Sequence, residues 1–528
     1  MPSPTSCHAW QDLEAHRDEI AALRVEALFA ADPGRGPALT FACAGLAVDF
    51  SKQRLTADTL RRLAALARER DFAGAVARLF AGERVNNTED RPALHTALRG
   101  DERVTVGGED VRAQVRRCRE RMRVFATAVR DGSWKGATGE PVRHVLSLGI
   151  GGSYLGPRLA VEALSAMADG PQVRFVANVD PAARDDALQG LDPASTLVVV
   201  ASKTFTTQET MANAAAARRW IEGALGRDAT ARHFVAATAN AAEAARFGIP
   251  ESSVFPFGDW VGGRFSVWSS VGLPVAIALG MPAFERFLAG AHAVDLEFRS
   301  APPERNVPLL LGAVGVWNRD FLRIPAHVVL PYAQRLGSLP GYLQQLEMES
   351  NGKRVDAGGE PVPVPTCPAL FGEAGTLGQH AFYQWLHQGT DEASCDFIVV
   401  ARPMGSRDHD HAVLLANALA QSEALMTGRA TGNPHRDCPG NRPSTTIVLP
   451  SLEPASLGAL VALYEHKVYA QAVLWGVNPF DQFGVELGKA IAGRILPGLA
   501  QGGEADLHPA TRHLLGLLRR AAGGGAAR

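Results

Sequence analysis

The sequence predicts an α/β protein built on two parallel-rich sheets, and three observations carry that expectation. Short apolar or β-branched runs recur between residues 142 and 257: VRHVLSLGI, VRFVANVD, STLVVVAS, RHFVAATAN and SSVFPF. Segments of helical composition separate them, which is the βαβ pattern of a parallel sheet buried on both faces. The alternation resumes later with PAHVVLP (325–331), CDFIVVARP (395–403) and STTIVLP (444–450). Two such regions of similar size hint at a duplicated unit.

The flanks read differently. In the first 115 residues, DLEAHRDEIAALRVEALFA and ADTLRRLAALARERDFAGAVARLFAG place apolar residues at three- and four-residue spacing, with Thr56 as an N-cap. No strand pattern of comparable quality is visible there. The stretch 464–499 is again helical in pattern, and the closing AAGGGAAR is expected to be disordered. The expected division is a helical region 1–115 packing on the second α/β domain, α/β domains at 116–283 and 284–475, and a helical arm with a disordered tail at 476–528.

A chain of 528 residues exceeds one ordinary domain. Its net charge of −2 provides no basic field for nucleic acid or an anionic membrane, so any anionic ligand must be held by local groups. MPSPTSCHAWQDLEAHRDEI has no apolar core like that of a signal peptide, and the longest apolar candidate, VGLPVAIALGMP, is broken by Pro274. The cysteines at 7, 43, 118, 367, 395 and 438 form no CxxC, as expected of reduced thiols in a soluble cytoplasmic protein.

In open α/β sheets, ligands bind beyond the carboxyl ends of the strands, and two loops occupy that position. GIGGSYLG (149–156) fails the dinucleotide spacing, because G-x-G-x-x-G needs glycine where Tyr154 stands, although Asp180 would serve as a ribose acid. A plain glycine turn and a backbone that approaches a small ligand, with the Ser153 hydroxyl beside Gly152, both remain open. SKTFTTQET (202–210) is more specific. A strand-to-helix turn offers free N–H groups and the positive end of a helix dipole, to which Ser202, Lys203, Thr204 and Thr207 add donors. Lacking the P-loop glycines, it suits a phosphate monoester better than a triphosphate, and helix capping accounts for only one or two of the hydroxyls.

The remaining chemistry is more scattered. GGRFSVWSS (262–270) sets Arg264 among glycines and aromatics, either near a ligand or in a structural ion pair. In SLPGYLQQLEMESNGK, Ser338 and Pro340 start a helix and Asn351-Gly352 ends it, so the helix spans about 339–350. Glu347 and Glu349 then point to different faces, and Glu349, in the last turn near Gln345, is the candidate general base. GTLGQHAFYQWLHQGT holds His380 and His387, either of which suits a packed core position. Lys489 lies in the otherwise apolar ELGKAIAG, where a lysine usually snorkels. His409-Asp410-His411 lacks i, i+4 metal-ligand spacing and reads as helix capping, so no metal is expected.

Together these segments closely resemble the glucose-6-phosphate isomerase (phosphoglucose isomerase) family. NNTEDRPALHTALR, LGIGGSYLGP, SKTFTTQET, GGRFSVWSSVGLP, MESNGK, GTLGQHAFYQWLHQGT, PGNRPST and YEHKVYAQAVLWGVNPFDQFGVELGK occur in the family's order across about residues 86–490. The resemblance implies two sugar-isomerase (SIS)-type three-layer αβα domains, a homodimer with a shared active site, a place in glycolysis and gluconeogenesis, and no cofactor. It assigns Ser202, Lys203, Thr204 and Thr207, with Gly152 and Ser153, to the phosphate. Glu349 matches the base that carries a proton between C2 and C1 through a cis-enediol. His380 and Lys489 match residues that assist ring opening, and Arg264 matches the cation that steadies the enediolate. Glu209 matches a residue that orients the histidine, which in the family comes from the partner subunit, while Gln345 and Gln482 match positions lining the sugar site. Tyr154, Pro479 and Phe483 depart from the usual pattern, none at a catalytic position.

Two rival classes are weighed against that reading. A non-catalytic sugar-phosphate sensor would keep SKTFTT and have no need of Glu349, His380 and Lys489 together. A nicotinamide-dependent oxidoreductase is disfavoured by the failed glycine spacing.

Overall fold

The computed structural model describes residues 3–403, 405, 408–501 and 507–523. By contact the chain divides into two compact units, 1–479 and 480–528. In the first unit the strands are β1 (Thr40–Cys43), β2 (Leu46–Asp49), β3 (Thr105–Val106), β4 (Glu109–Asp110), β5 (His144–Leu148), β6 (Gln172–Val176), β7 (Thr196–Ala201), β8 (Phe234–Thr238), β9 (Val254–Pro256), β10 (Ala326–Tyr332), β11 (Ala369–Gly372), β12 (Ala393–Val400) and β13 (Ser444–Leu449).

The first sheet, in order β6-β5-β7-β8-β9, is parallel throughout. Its central strands β7 and β8 are buried along their whole length, which is why they read as continuous apolar runs rather than alternating ones. The second sheet runs β1-β2-β13-β12-β10-β11. Strands β10 to β13 are mutually parallel, whereas β2 joins β13 antiparallel.

The N-terminal region is therefore not helical throughout. The β1–β2 hairpin turns at Ala44 (φ 47°) and Gly45 (φ 82°), the left-handed pair of a two-residue hairpin, and the Ala44 N–H is held by Glu297 Oε1 at 2.7 Å. TFACAGLAVD hides this because Ala42, Cys43 and Ala47 blur the polar–apolar alternation and its turn lacks the usual Asn-Gly. Edge strand β11 escaped the sequence reading for a related reason: it is short and prolines precede it. The Thr56 cap is present, accepting from Thr59 N–H at 3.3 Å. Among the described residues no helix is long and apolar enough to cross a membrane, and all six cysteines are free.

The helix Pro454–Trp475 is buried along nearly its whole length, against the helices Met281–Ser300 and Val307–Val316. A Cβ on Gly458 would lie 1.9 Å from the Phe287 carbonyl oxygen, and one on Gly290 equally close to that of Ala455, so glycine at both positions lets the backbones meet. Four successive polar residues near its middle each find a partner. Tyr464 donates to Asp396 Oδ2 at 2.8 Å, Glu465 accepts from Arg99 at 2.5 Å and from the Trp268 indole at 2.7 Å, and His466 meets Asp295 at 2.6 Å. Lys467 donates to Glu347 Oε2 at 2.6 Å, with both side chains almost fully buried. Arg99 also forks onto both oxygens of Asp295 at 2.7 and 2.8 Å and lies over the Trp268 ring. Burial works against the Asp295 carboxylate, yet Arg99 holds it well below the usual range; burial pushes Glu465 up to about 6 against the same guanidinium.

In the second unit the helix Glu486–Gln501 is followed by Pro509–Gly523. Of the tail expected to be disordered, 521–523 belong to that last helix and 524–528 lie outside the described residues.

Breaking one partner of a buried ion pair leaves an uncompensated charge. Lys467→Met is expected to cost about 3–5 kcal/mol in equilibrium urea unfolding, and Glu347→Leu added to it to recover most of the loss. A double variant as unstable as the single one would refute the pairing.

Candidate active site

Two helix N-termini open side by side at the carboxyl ends of neighbouring strands. The helix Gly152–Ala163 follows β5 and the helix Gln208–Leu225 follows β7, and neither has a side-chain cap. The first-turn N–H groups of the Gln208 helix have no backbone partner among the described residues and lie at the positive end of its dipole, as an anion site requires. In the Gly152 helix, Ser153 and Tyr154 already donate to the Ile150 and Gly151 carbonyls at 3.2 and 3.0 Å. Capping therefore does not account for the hydroxyls of SKTFTT. Ser202, buried, accepts from the Phe205 N–H at 3.1 Å and donates to Thr207 Oγ1 at 3.3 Å; Thr204 accepts from the Thr206 hydroxyl at 2.8 Å. Phe205 at the bend has a φ of 57°, a left-handed strain of the kind stored at ligand-binding turns.

The Lys203 ammonium is engaged behind this loop. It donates to the carbonyl oxygens of Asp259 at 2.5 Å and Val261 at 3.1 Å, tying the loop to the segment that leads to Arg264. Burial, helped by Arg91 and opposed by Asp259 and Glu89, brings its pKa down to about 8. Glu89 and Arg91, an ion pair within NNTEDR, are neighbours that the sequence reading left without a role. Asn86 anchors that motif, donating to Glu89 at 2.6 Å and accepting from Asn478 at 2.9 Å.

The glycine loop is explained by close approach. A Cβ on Gly152 would fall 1.9 Å from the Gly263 carbonyl oxygen and 2.6 Å from the Arg264 nitrogen. GIGGS and GGRF thus rest backbone on backbone. Asp180, the alternative ribose acid, caps the helix Pro181–Leu188 through the Ala182 N–H at 3.0 Å.

Segment 339–350 is helical as expected, but it widens into a π-helix over Gln344–Glu349, an irregularity that recurs at functional sites. It separates the two glutamates as their spacing requires. Glu347 turns inward to Lys467, and Glu349, 20% exposed, turns toward Arg264. Arg264 is buried: Nε donates to Ser350 Oγ at 2.7 Å, Nη2 donates to the Pro479 carbonyl, and Nη1 stands 3.8 Å from Glu349 Oε2. That last gap exceeds a hydrogen bond, so the carboxylate is not committed to the guanidinium. Gln345 lies against Gly151, and its buried Oε1 has no hydrogen-bond partner among the described residues. Ser350 and Asp259 are further site neighbours; nothing in their types or spacing marked them in the sequence.

Gly152, Ser153, the 202–207 loop, Arg264, Gln345 and Glu349 thus belong to one connected set. His380 and Glu209 are not linked to it within the chain. His380 ends the turn Gly378–His380 and is exposed, Glu209 is partly buried in the first turn of its helix, and neither side chain has a hydrogen bond or ion pair among the described residues. His387 is a packed histidine, its ring nitrogen 3.0 Å from Gln421 Oε1. Gln482 precedes the second unit's turn Phe483–Val485, and Lys489 lies in its helix Glu486–Gln501. His411 meets the Ala401 carbonyl at 3.2 Å, and no group of three or more metal-ligating side chains occurs among the described residues.

Two parallel-rich sheets with a polar site at the carboxyl ends of the first sheet's strands define an α/β protein with its ligand site where open sheets of this kind place it. A family model described as phosphoglucose isomerase matches residues 49–515. The glucose-6-phosphate isomerase of Frankia casuarinae is 51% identical over 525 residues, covering 95% of this chain and 94% of its own. That of Anaeromyxobacter dehalogenans is 51% identical over 521 residues, covering 96% and 94%. The crystal structure of a glucose-6-phosphate isomerase from Chlamydia trachomatis superposes with a TM-score of 0.86 at 32% identity, covering 98% of this chain and 99% of that one. The chain belongs to the phosphoglucose isomerase family.

Gly152→Ala is expected to cost about 2 kcal/mol or more, because its Cβ meets backbone rather than a movable side chain. Gly223→Ala, where a Cβ has open space inside a helix, should instead be neutral or stabilising by up to about 1 kcal/mol. Thermal unfolding of the two variants compares them directly.

Proposed function

We propose that this protein interconverts glucose 6-phosphate and fructose 6-phosphate, with Glu349 as the base. One observation carries the reading: a partly exposed carboxylate faces a buried guanidinium at 3.8 Å, in a site connected to two uncapped helix N-termini. The N-termini and the Ser202, Thr204 and Thr207 hydroxyls hold the phosphate, with Gly152 and Ser153 on the adjoining loop. Lys203, through Asp259 and Val261, keeps the cradle in register with Arg264 and adds positive charge behind it. Remote phosphate binding then orients the reacting carbons.

In the open-chain aldose, Glu349 takes the proton from C2 and the C1 carbonyl becomes the oxygen of a cis-enediolate. The C2 hydroxyl proton passes to the C1 oxygen, and the same carboxyl returns its proton to C1 as C2 becomes the carbonyl. Arg264 supplies a permanent countercharge for the developing oxyanion. Its bonds to Ser350 and Pro479 hold it before charge develops. Gln345 offers its free Oε1 to a sugar hydroxyl.

His380 and Lys489 assist ring opening, Glu209 orients the histidine, and Gln482 lines the sugar. The exposure of His380 fits donation to the site of a second copy, and a homodimer is supported by apolar side chains left exposed on the second unit's helices, Leu487, Leu496, Leu499, Leu514 and Leu518. We place the two α/β domains at 116–283 and 284–475 and the enzyme in the cytoplasm.

Purified protein should convert fructose 6-phosphate to glucose 6-phosphate in chelator without nicotinamide. Binding without turnover would leave a sensor instead. Glu349→Gln should lower kcat by about 10³-fold with KM nearly unchanged; an equal loss of binding would remove its role as base. Thr207→Ala should mainly raise KM. Lys203 is cationic below its pKa of about 8 and loses its charge as pH rises through it, so kcat/KM should fall above pH 8. Lys203→Arg, which stays charged, should abolish that alkaline limb.

A further inference from the structure

Outside the active site, the first unit contains a cavity of about 380 Å³ between the helix Val111–Arg130 and the segments 256–260 and 268–270. Its walls are largely apolar and aromatic, with Met122, Trp260, Trp268 and Phe284 buried around it. Three arginines, Arg117, Arg119 and Arg121, are among its lining residues and no acidic residue is, in a chain whose net charge is −2. Arg119 is held by the Leu98 carbonyl, and Arg121 donates to the Glu251 carbonyl at 2.9 Å. Arg117 is exposed, with no hydrogen bond or ion pair to another described residue. An apolar chamber of this size with a few converging polar groups is the usual form of a small-molecule site. Aromatic walls hold water poorly, whereas an unpaired guanidinium at their edge selects a carboxylate.

We propose that this cavity is an effector site for a small amphipathic carboxylate, an apolar or aromatic body carrying one acid group. The body fills the space beside Trp260, Phe284 and Met122, and the acid pairs with Arg117. The wall also gives the site a route to the chemistry. Trp260 stands between Asp259 and Val261, whose carbonyls hold the Lys203 ammonium, and its own carbonyl accepts from the Leu94 N–H at 3.1 Å. An occupant pressing on Trp260 therefore acts on the anchor of the phosphate loop. This coupling rests on the function proposed above; the binding does not.

The test is calorimetric titration of the full chain with 1-naphthaleneacetate, and with 2-(1-naphthyl)ethanol as its uncharged counterpart. The acid should bind saturably and at least about tenfold more tightly than the alcohol. Arg117→Gln should remove that preference, and filling the chamber with Met122→Trp, or with Val115→Phe if the first fails to fold, should abolish binding of both. Saturating acid should change KM for fructose 6-phosphate at least about twofold. No saturable binding, or binding unaffected by these substitutions, would overturn the site; binding with KM unchanged would overturn the coupling. A protein with no isomerase activity before any acid is added would instead fail the functional proposal and leave the binding result standing.

Discussion

Four successive side chains on one buried helix set the terms for the rest of the structure. Tyr464, Glu465, His466 and Lys467 point in different directions from Pro454–Trp475, and each meets a partner from a distant part of the chain: Asp396, Arg99 with Trp268, Asp295, and Glu347. Buried charges tolerate no vacancy, because an unpaired one costs several kcal/mol while a satisfied one is close to neutral. The helix thus acts less as a source of stability than as a template that admits one arrangement of its neighbours. Asp396 ties it to the second sheet, Trp268 and Arg99 tie it to the segment after Arg264, and Glu347 ties it to the stretch that carries Gln345 and Glu349.

The site inherits its precision from this arrangement. Glu349 and Arg264 belong to segments 85 positions apart that have no local reason to meet. Lys467 pulls one side of the π-helical stretch inward through Glu347, leaving Glu349 on the other side. The Gly152–Gly263 contact brings the first sheet's glycine loop onto the backbone of Arg264, and Lys203 pins the 202–207 loop to the same segment. Charge follows geometry: the first sheet's loops bring N–H groups, helix dipoles and hydroxyls, while the Arg264 guanidinium stands 3.8 Å from the Glu349 carboxylate. With almost no net charge on the chain, positive potential at this site comes from local groups, the helix ends together with Lys203 and Arg264.

Much of the fold was legible because parallel strands buried on both faces leave unbroken apolar runs: β5, β7, β8, β9 and β13 fall within the stretches those runs mark, and β6, β10 and β12 overrun theirs by one or two residues. Helix 339–350 was legible from its start and stop residues, and the opposite orientations of Glu347 and Glu349 from their spacing alone. The β1–β2 hairpin was not, since small apolar residues carry no periodicity. Arg99 and the other charges of NNTEDRPALHTALR could be matched to a family pattern without their partners being visible, because Asp295 and Glu465 lie hundreds of positions downstream.

The sequence by itself determined the local chemistry: which loops end strands, which turns bear hydroxyls, which helix carries the carboxylate, and which family the pattern resembles. Tertiary structure alone decided what each charge faces. Lys203 reads as a phosphate ligand in its own loop and is found holding the carbonyls of Asp259 and Val261; Glu347 and Glu349 look alike in sequence and end in a buried ion pair and an open site. The physical reason is range. Propensity, capping and dipole effects act within a turn or two of chain, whereas desolvation and ion pairing depend on neighbours that only the folded packing supplies.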